Sequence, residues 1–124
     1  MKVYVDDIRS APDETWTLAR TINRAINAIS QFGCEEISLD HDISHQVRVG
    51  TLSRPYPCDE CYCAVAHYLA QKYRDAAPED VPKVYIHSAN PVGAADLQAI
   101  LKNEGGIESV YNPLPAANRL ELIA

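Results

Sequence analysis

No stretch of this chain approaches the ~18 consecutive apolar residues of a membrane helix, so a membrane-embedded role is not expected. Positive charge is also short: 11 Lys and Arg against 17 Asp and Glu leave a net charge of −6. An acidic surface repels phosphate backbones, which disfavours a nucleic-acid polymer as partner, with an RNA end the one exception kept open. No basic segment leads into an apolar run at the N-terminus, so no signal peptide is expected and the cytoplasm is the expected location. Cysteine is sparse and bunched. Of four residues, Cys34 stands apart while Cys58, Cys61 and Cys63 crowd together. A disulfide framework spreads its cysteines along a short chain, so reduced thiols are expected here. The 124 residues suffice for one domain, 1–124, and one core. Nothing in the sequence fixes an oligomeric state.

The elements follow from periodicity. Lys2–Val5 reads as a short buried strand that stops at Asp6-Asp7. Ile8–Glu14 is a loop, and Trp16–Arg20 a second strand. Thr21 is a suitable N-cap for a helix carrying Ile22, Ile26 and Ile29 on one face, with Gly33 at its C-cap. Glu36–Asp40 is the next strand. Ile43–Pro57 is long and irregular, and Asp59–Ala76 is expected to be the longest helix, with Val65, Leu69 and Tyr73 inward. Lys83–His87 is a strand. Asn90-Pro91 opens a helix with Leu97, Ile100 and Leu101 inward, ended by Gly105-Gly106. Ile107–Tyr111 is the last strand, and 116–124 reads as a short helix. Strands alternating with helices imply βαβ units and a parallel sheet, whose ligands bind at the carboxyl ends of the strands. Four strands end in chemically capable residues there: Asp6-Asp7, Asp40-His41-Asp42, His87-Ser88 and Asn112.

Four carboxylates gathered at one sheet edge repel unless a cation sits among them or one takes up a proton. Asp6, Asp7, Asp40 and Asp42 are therefore candidate ligands for a hard divalent ion, Mg²⁺ or Mn²⁺ first, against the plainer reading of solvated loop caps. Asp42 is either a ligand or the residue that orients His41. His41 and His87 are candidate acid and base groups, with Asp40 in the same catalytic set. Arg9, Ser88 and Asn90 are candidate contacts to a small phosphorylated ligand. Cys58, Cys61, Cys63 and His67 form C-x2-C-x-C-x3-H, but a structural zinc site joins two separated pairs, and a helix spreads these side chains apart. Zinc is not expected at that set, and the thiols read as small core residues. His45, Arg48 and Arg54 lie in the Ile43–Pro57 stretch, where they either close over a phosphate or are simply solvated.

The placed motifs resemble the receiver, or response-regulator, fold. Receivers carry two acids after the first strand, matched by Asp6-Asp7, and a phosphoacceptor aspartate after the third, matched by Asp40. They carry Ser or Thr then Ala after the fourth, matched by Ser88-Ala89. Their closing Lys-Pro is here Asn112-Pro113, so the lysine that organises the phosphorylated state is missing. The resemblance implies a cis Asn112–Pro113 peptide and a flavodoxin-like, doubly wound, mostly parallel five-stranded sheet.

The pattern is closer still to the cyclic-phosphate processing receiver family. The matching segments are Asp6-Asp7-Ile8-Arg9, Ile37-Ser38-Leu39-Asp40-His41-Asp42 and His87-Ser88-Ala89-Asn90-Pro91, with Gly93 soon after. That likeness implies a metal-dependent phosphoesterase acting on a cyclic phosphate of a nucleotide, a nucleotide sugar or an RNA end. The alternative is a receiver-like module that binds such a ligand or a protein partner without chemistry. A phosphoacceptor receiver using Asp40 is a third reading, weakened by the missing lysine.

Overall fold

The computed structural model describes residues 1–43 and 61–112. Its elements are β1 (Lys2–Val5), β2 (Trp16–Ala19), α1 (Ile22–Phe32), β3 (Glu36–Leu39), α2 (Cys63–Tyr73), a 3-10 turn at Pro78–Asp80, β4 (Lys83–Ile86), α3 (Pro91–Gly105) and β5 (Ser109–Tyr111). The strands form one sheet in the order β2-β1-β3-β4-β5, and every pair is parallel. This is the parallel α/β sheet expected from the alternation of elements, and the receiver-like, flavodoxin-like architecture that the resemblance implies. His45, Arg48, Arg54, Cys58, the peptide to Pro113 and the 116–124 segment lie outside the described residues. Among the described residues, no helix is long and apolar enough to cross a membrane.

The connections β2→β3, β3→β4 and β4→β5 all progress the same way across the sheet. Right-handed crossovers therefore put α1, α2 and α3 on one face. Alternation in the strands turns Val3, Val5, Ile37, Leu39, Val84 and Ile86 to that face, where they pack with Ile29, Val65, Leu69, Leu97 and Leu101 in one buried cluster. The β1→β2 connection runs the opposite way and contains no helix. The second face instead presents Tyr4, Trp16, Ser38 and Tyr85, which line a cavity of about 200 Å³.

The helix boundaries have local causes. Thr21 Oγ1 accepts the Arg24 amide at the start of α1, and Gly33, at φ 67°, closes it by donating to Ile29 O. α2 begins at Cys63, later than the expected Asp59, because Cys61 is engaged in an antiparallel bridge with Asp42. Asn90 Oδ1 accepts the amides of Val92 and Gly93 to cap α3, with Pro91 in the first turn. At its far end Gly106, at φ 65°, and Ile107 return hydrogen bonds to Lys102 and Leu101, and Ile107 is buried. That capping takes Ile107 out of the expected last strand, which starts at Ser109.

Candidate functional site

Each strand that carries a motif stops one residue before its polar group, so Asp6, Asp40 and His87 leave the ladder side by side. Backbone bonds fix them: Asp6 N donates to Ala19 O, Asp40 N to Val5 O and His87 N to Leu39 O. All three are buried. One ligand atom from each lies within 4.8 Å of the others.

Asp6 is fully committed. Oδ1 accepts the amides of Ile8 and Arg9 at 2.8 Å each, and Oδ2 accepts Arg9 Nη1 at 3.1 Å and His87 Nε2 at 3.0 Å. A carboxylate offers about four lone-pair positions, and these four donors fill them. Burial pushes this carboxyl up, but the His87 bond and the Arg9 and Ile8 amides outweigh it and hold Asp6 down at about 2. Asp6 thereby fixes the loop carrying Arg9 and aims its guanidinium.

Asp40 is the opposite case. Oδ1 accepts the His41 amide at 2.8 Å, and Oδ2 lies 3.5 Å from Arg9 Nη1. Burial and then the Asp6 charge push its carboxyl up to about 7, only partly offset by the His41 amide and Arg9. Asp40 thus titrates near neutrality and keeps acceptor capacity in reserve. Asp7, next to Asp6, is partly exposed.

His87 has both ring nitrogens engaged: Nε2 donates to Asp6, and Nδ1 lies 2.7 Å from Ser38 Oγ. A carboxylate only accepts, so the proton sits on Nε2 and Ser38 donates to Nδ1. Its ring stacks on Tyr4 with centroids 4.3 Å apart. Burial lowers its pKa against the pull of Asp6, which keeps the imidazole neutral.

The remaining candidates divide. Ser88 is fully buried, and its Oγ accepts the Asn90 amide at 3.0 Å, shaping the start of α3. Asn90 Nδ2 reaches Asp42 Oδ1 at 3.5 Å. Asp42 Oδ1 also accepts His41 Nδ1 at 2.8 Å, the contact that an orienting role for Asp42 requires. His41 does not join Asp6, Asp40 and His87. Its Nε2 points to Cys63 Sγ at 3.6 Å, and His41, Cys61 and Cys63 form a second cluster. A bond with Cys61, against burial and with help from Asp42, holds His41 up at about 9. His67 lies elsewhere, paired with Glu104 at 2.7 Å.

Sequence reasoning missed Ser38, Tyr4 and the approach of Cys61 and Cys63 to His41. The register held a signal for the first two: Tyr4 and Ser38 are aligned neighbours, each two residues before an acid and so on the same sheet face as Asp6 and Asp40. No spacing rule connects His41 to Cys61 and Cys63.

Comparison with known proteins gives one match. The family model described as the cyclic-phosphate processing receiver domain matches residues 1–103. No curated protein and no solved structure matches the chain.

Proposed function

This chain belongs to the cyclic-phosphate processing receiver domain family, and on that premise we propose that it is a hydrolase that opens the cyclic phosphodiester of a nucleotide, a nucleotide sugar or an RNA end. The observation that carries the reading is Asp40, a buried carboxyl pushed to about 7 between Asp6 and one guanidinium. A carboxylate so short of positive charge at a sheet's ligand-binding edge is suited to a cation or to an exchangeable proton.

The donor chemistry fits a hard divalent ion such as Mg²⁺ or Mn²⁺: carboxylate oxygens clustered at one edge, one of them under-compensated. Asp40 and Asp7, the residue that follows Asp6 in the chain, would hold it, with Asp6 behind them. Bound there, the ion would polarise a phosphoryl oxygen and lower the pKa of a water. The chain's own residues supply the rest. Arg9, held by Asp6, turns its remaining donors to the phosphate oxygens, the task for which a guanidinium fork is suited. Asp40 releases its proton as positive charge arrives. His87, locked between Asp6 and Ser38, positions Asp6 and hence Arg9, and Ser88 with Asn90 sets the mouth of the site at the start of α3.

The test is ring opening of 2′,3′-cyclic and 3′,5′-cyclic nucleotides, cyclic dinucleotides and ADP-ribose 1″,2″-cyclic phosphate, with Mg²⁺, Mn²⁺ or EDTA. Turnover of one class, lost in EDTA and in Asp40→Asn, supports the proposal. A second reading has an observation of its own in favour: among the described residues, the two imidazoles nearest the site are engaged, His87 by Asp6 and Ser38, His41 by Asp42. A module that binds a cyclic phosphate without opening it would need no uncommitted acid or base. Thermal stabilisation by one compound without turnover decides for that reading.

A further inference from the structure

Three segments converge on the ring of His41, which points away from the acidic centre toward two cysteines. The Asp42–Cys61 bridge and the Tyr62 amide, donating to His41 O at 2.8 Å, clamp the end of β3 against the residues leading into α2. This brings Cys61 and Cys63, the first residue of α2, to the same side of the ring. From α3, Gly93 leaves room for it: a Cβ there would stand 2.4 Å from His41 Cγ and Nδ1. The ligand atoms of His41, Cys61 and Cys63 lie within 4.8 Å of one another.

From this convergence we propose that His41 Nε2, Cys61 Sγ and Cys63 Sγ form a zinc-class metal site distinct from the acidic centre. Two thiolates and an imidazole suit a soft or borderline ion and not Mg²⁺. The second shell agrees. A metal-binding histidine typically donates its other ring N–H to a carboxylate, which fixes the tautomer, and His41 Nδ1 does so to Asp42 Oδ1 at 2.8 Å. Asp42 is itself steadied by Asn90. Around a tetrahedral zinc, with bonds of about 2.0 Å to nitrogen and 2.3 Å to sulfur, donor atoms stand roughly 3.5 to 3.8 Å apart. The His41–Cys63 separation of 3.6 Å already meets this, and the sulfurs, 2.7 Å apart, must spread.

The charges also close. Loading releases the thiol protons of Cys61 and Cys63 and the Nε2 proton of His41 to solvent. One divalent ion, two thiolates and a neutral imidazole leave no net charge in a largely buried place. Among the described residues the site counts three ligands of a tetrahedral set. The ion would tie the end of β3 to α2 and add its binding energy to folding.

The full chain, stripped with a chelator under reductant and titrated with Co²⁺, is expected to bind one equivalent with thiolate-to-cobalt charge-transfer absorption, which Zn²⁺ then displaces. Cys61→Ser and Cys63→Ser should each lose that absorption, whereas Cys34→Ser and Asp40→Asn should keep it. Asp42→Asn should weaken affinity roughly 10–100-fold. In the parent chain, bound Zn²⁺ should also protect Cys61 and Cys63 from alkylation, a reading that holds even if a serine variant fails to fold. Absence of thiolate bands overturns the site. So do bands that survive both serine changes, or protection traced to a Cys61–Cys63 disulfide by a mass two hydrogens lighter.

Discussion

Asp6 and His87 lie 81 residues apart and meet through a 3.0 Å hydrogen bond in which both partners are buried. His87 brings Ser38 and Tyr4 with it, so removing the ring leaves one Asp6 lone pair, one buried hydroxyl and one aromatic face without partners. His87→Ala is expected to destabilise the fold by about 2–4 kcal/mol. The pH dependence has a fixed sign. Asp6 sits at about 2 in the fold, below the unfolded value near 4, so its stabilisation is present above pH ~4 and is lost as pH falls toward 2. His87 is lowered in the fold, so stability also drains as pH falls below about 6.5, where the unfolded histidine takes up a proton first. Asp40 contributes with the opposite sign over the same range, so the losses are read in an Asp40→Asn background, where denaturant unfolding from pH 8 to 3 should show both and adding His87→Ala should remove the upper one. An unchanged upper limb in that variant would remove His87 from the account.

Asp40 runs the other way. Its folded value of about 7 exceeds the unfolded value near 4, so the native state holds the proton longer, and stability from this group declines as pH rises from ~4 to ~7. Asp40→Asn keeps an oxygen for the His41 amide and removes the charge. The variant should therefore gain stability over the parent at pH 8, on the order of 3 kcal/mol at most, and little at pH 4. It should lose ring-opening activity at every pH. Equal stability at pH 8, measured without added metal, would mean that Asp40 is already compensated.

On the proposed reading, the same group would control metal affinity. Because the cation must displace the Asp40 proton, apparent Mg²⁺ or Mn²⁺ affinity should fall about tenfold per pH unit below about 7 and level off above it. Calorimetry in buffers of different ionisation enthalpy should register close to one proton released per ion at pH 6. A pH-independent affinity would place the ion away from Asp40.

Among the described residues, Arg9 is the positive charge nearest both acids, at 3.1 and 3.5 Å. Arg9→Met keeps much of the apolar stem and deletes that charge. Without it the Asp6–Asp40 repulsion is less screened, and the Asp40 carboxyl should move above about 7 in the ¹³C chemical-shift titration of its side chain. Loss of a charge-assisted phosphate contact should raise KM roughly 10–100-fold, with less effect on kcat. A variant that loses kcat alone would mean Arg9 acts only in the transition state.

The sheet was legible because its signals are local. Short apolar runs closed by acids gave β1 and β3, and the Asn-Pro and Gly-Gly pairs bracketed α3. The acidic edge was legible for the same reason, since parallel topology sends every strand end to one side. Three things were not. Lone-pair occupancy at Asp6 depends on His87 and on the turn through Ile8 and Arg9, which no spacing encodes. The direction of the His41 ring depends on the Asp42–Cys61 bridge, a contact between segments far apart in sequence. The start of α2 moved for that reason too.

Gly105 carries the last of these lessons. In the sequence it reads with Gly106 as a helix stop, yet only Gly106 adopts the left-handed backbone of a C-cap. Gly105 is still helical and buried, and a Cβ there would stand 2.7 Å from Ala70 Cα and 2.9 Å from Ala70 Cβ on α2. Two effects compete in Gly105→Ala. Helix propensity favours alanine by up to about 1 kcal/mol, less at a final turn. Against it, the nearest atom is backbone, so α2 and α3 must separate, and overpacking of this kind costs about 1–3 kcal/mol. The clash should win, with a fall in Tm of several degrees. Ala70→Gly should restore only part of it, because Ala70 Cα remains in place. KM and cobalt binding should stay at parent values, since Gly105 lies at the opposite end of α3 from Gly93 and Asn90. A higher Tm in Gly105→Ala would show that the two helices pack less closely than this contact requires.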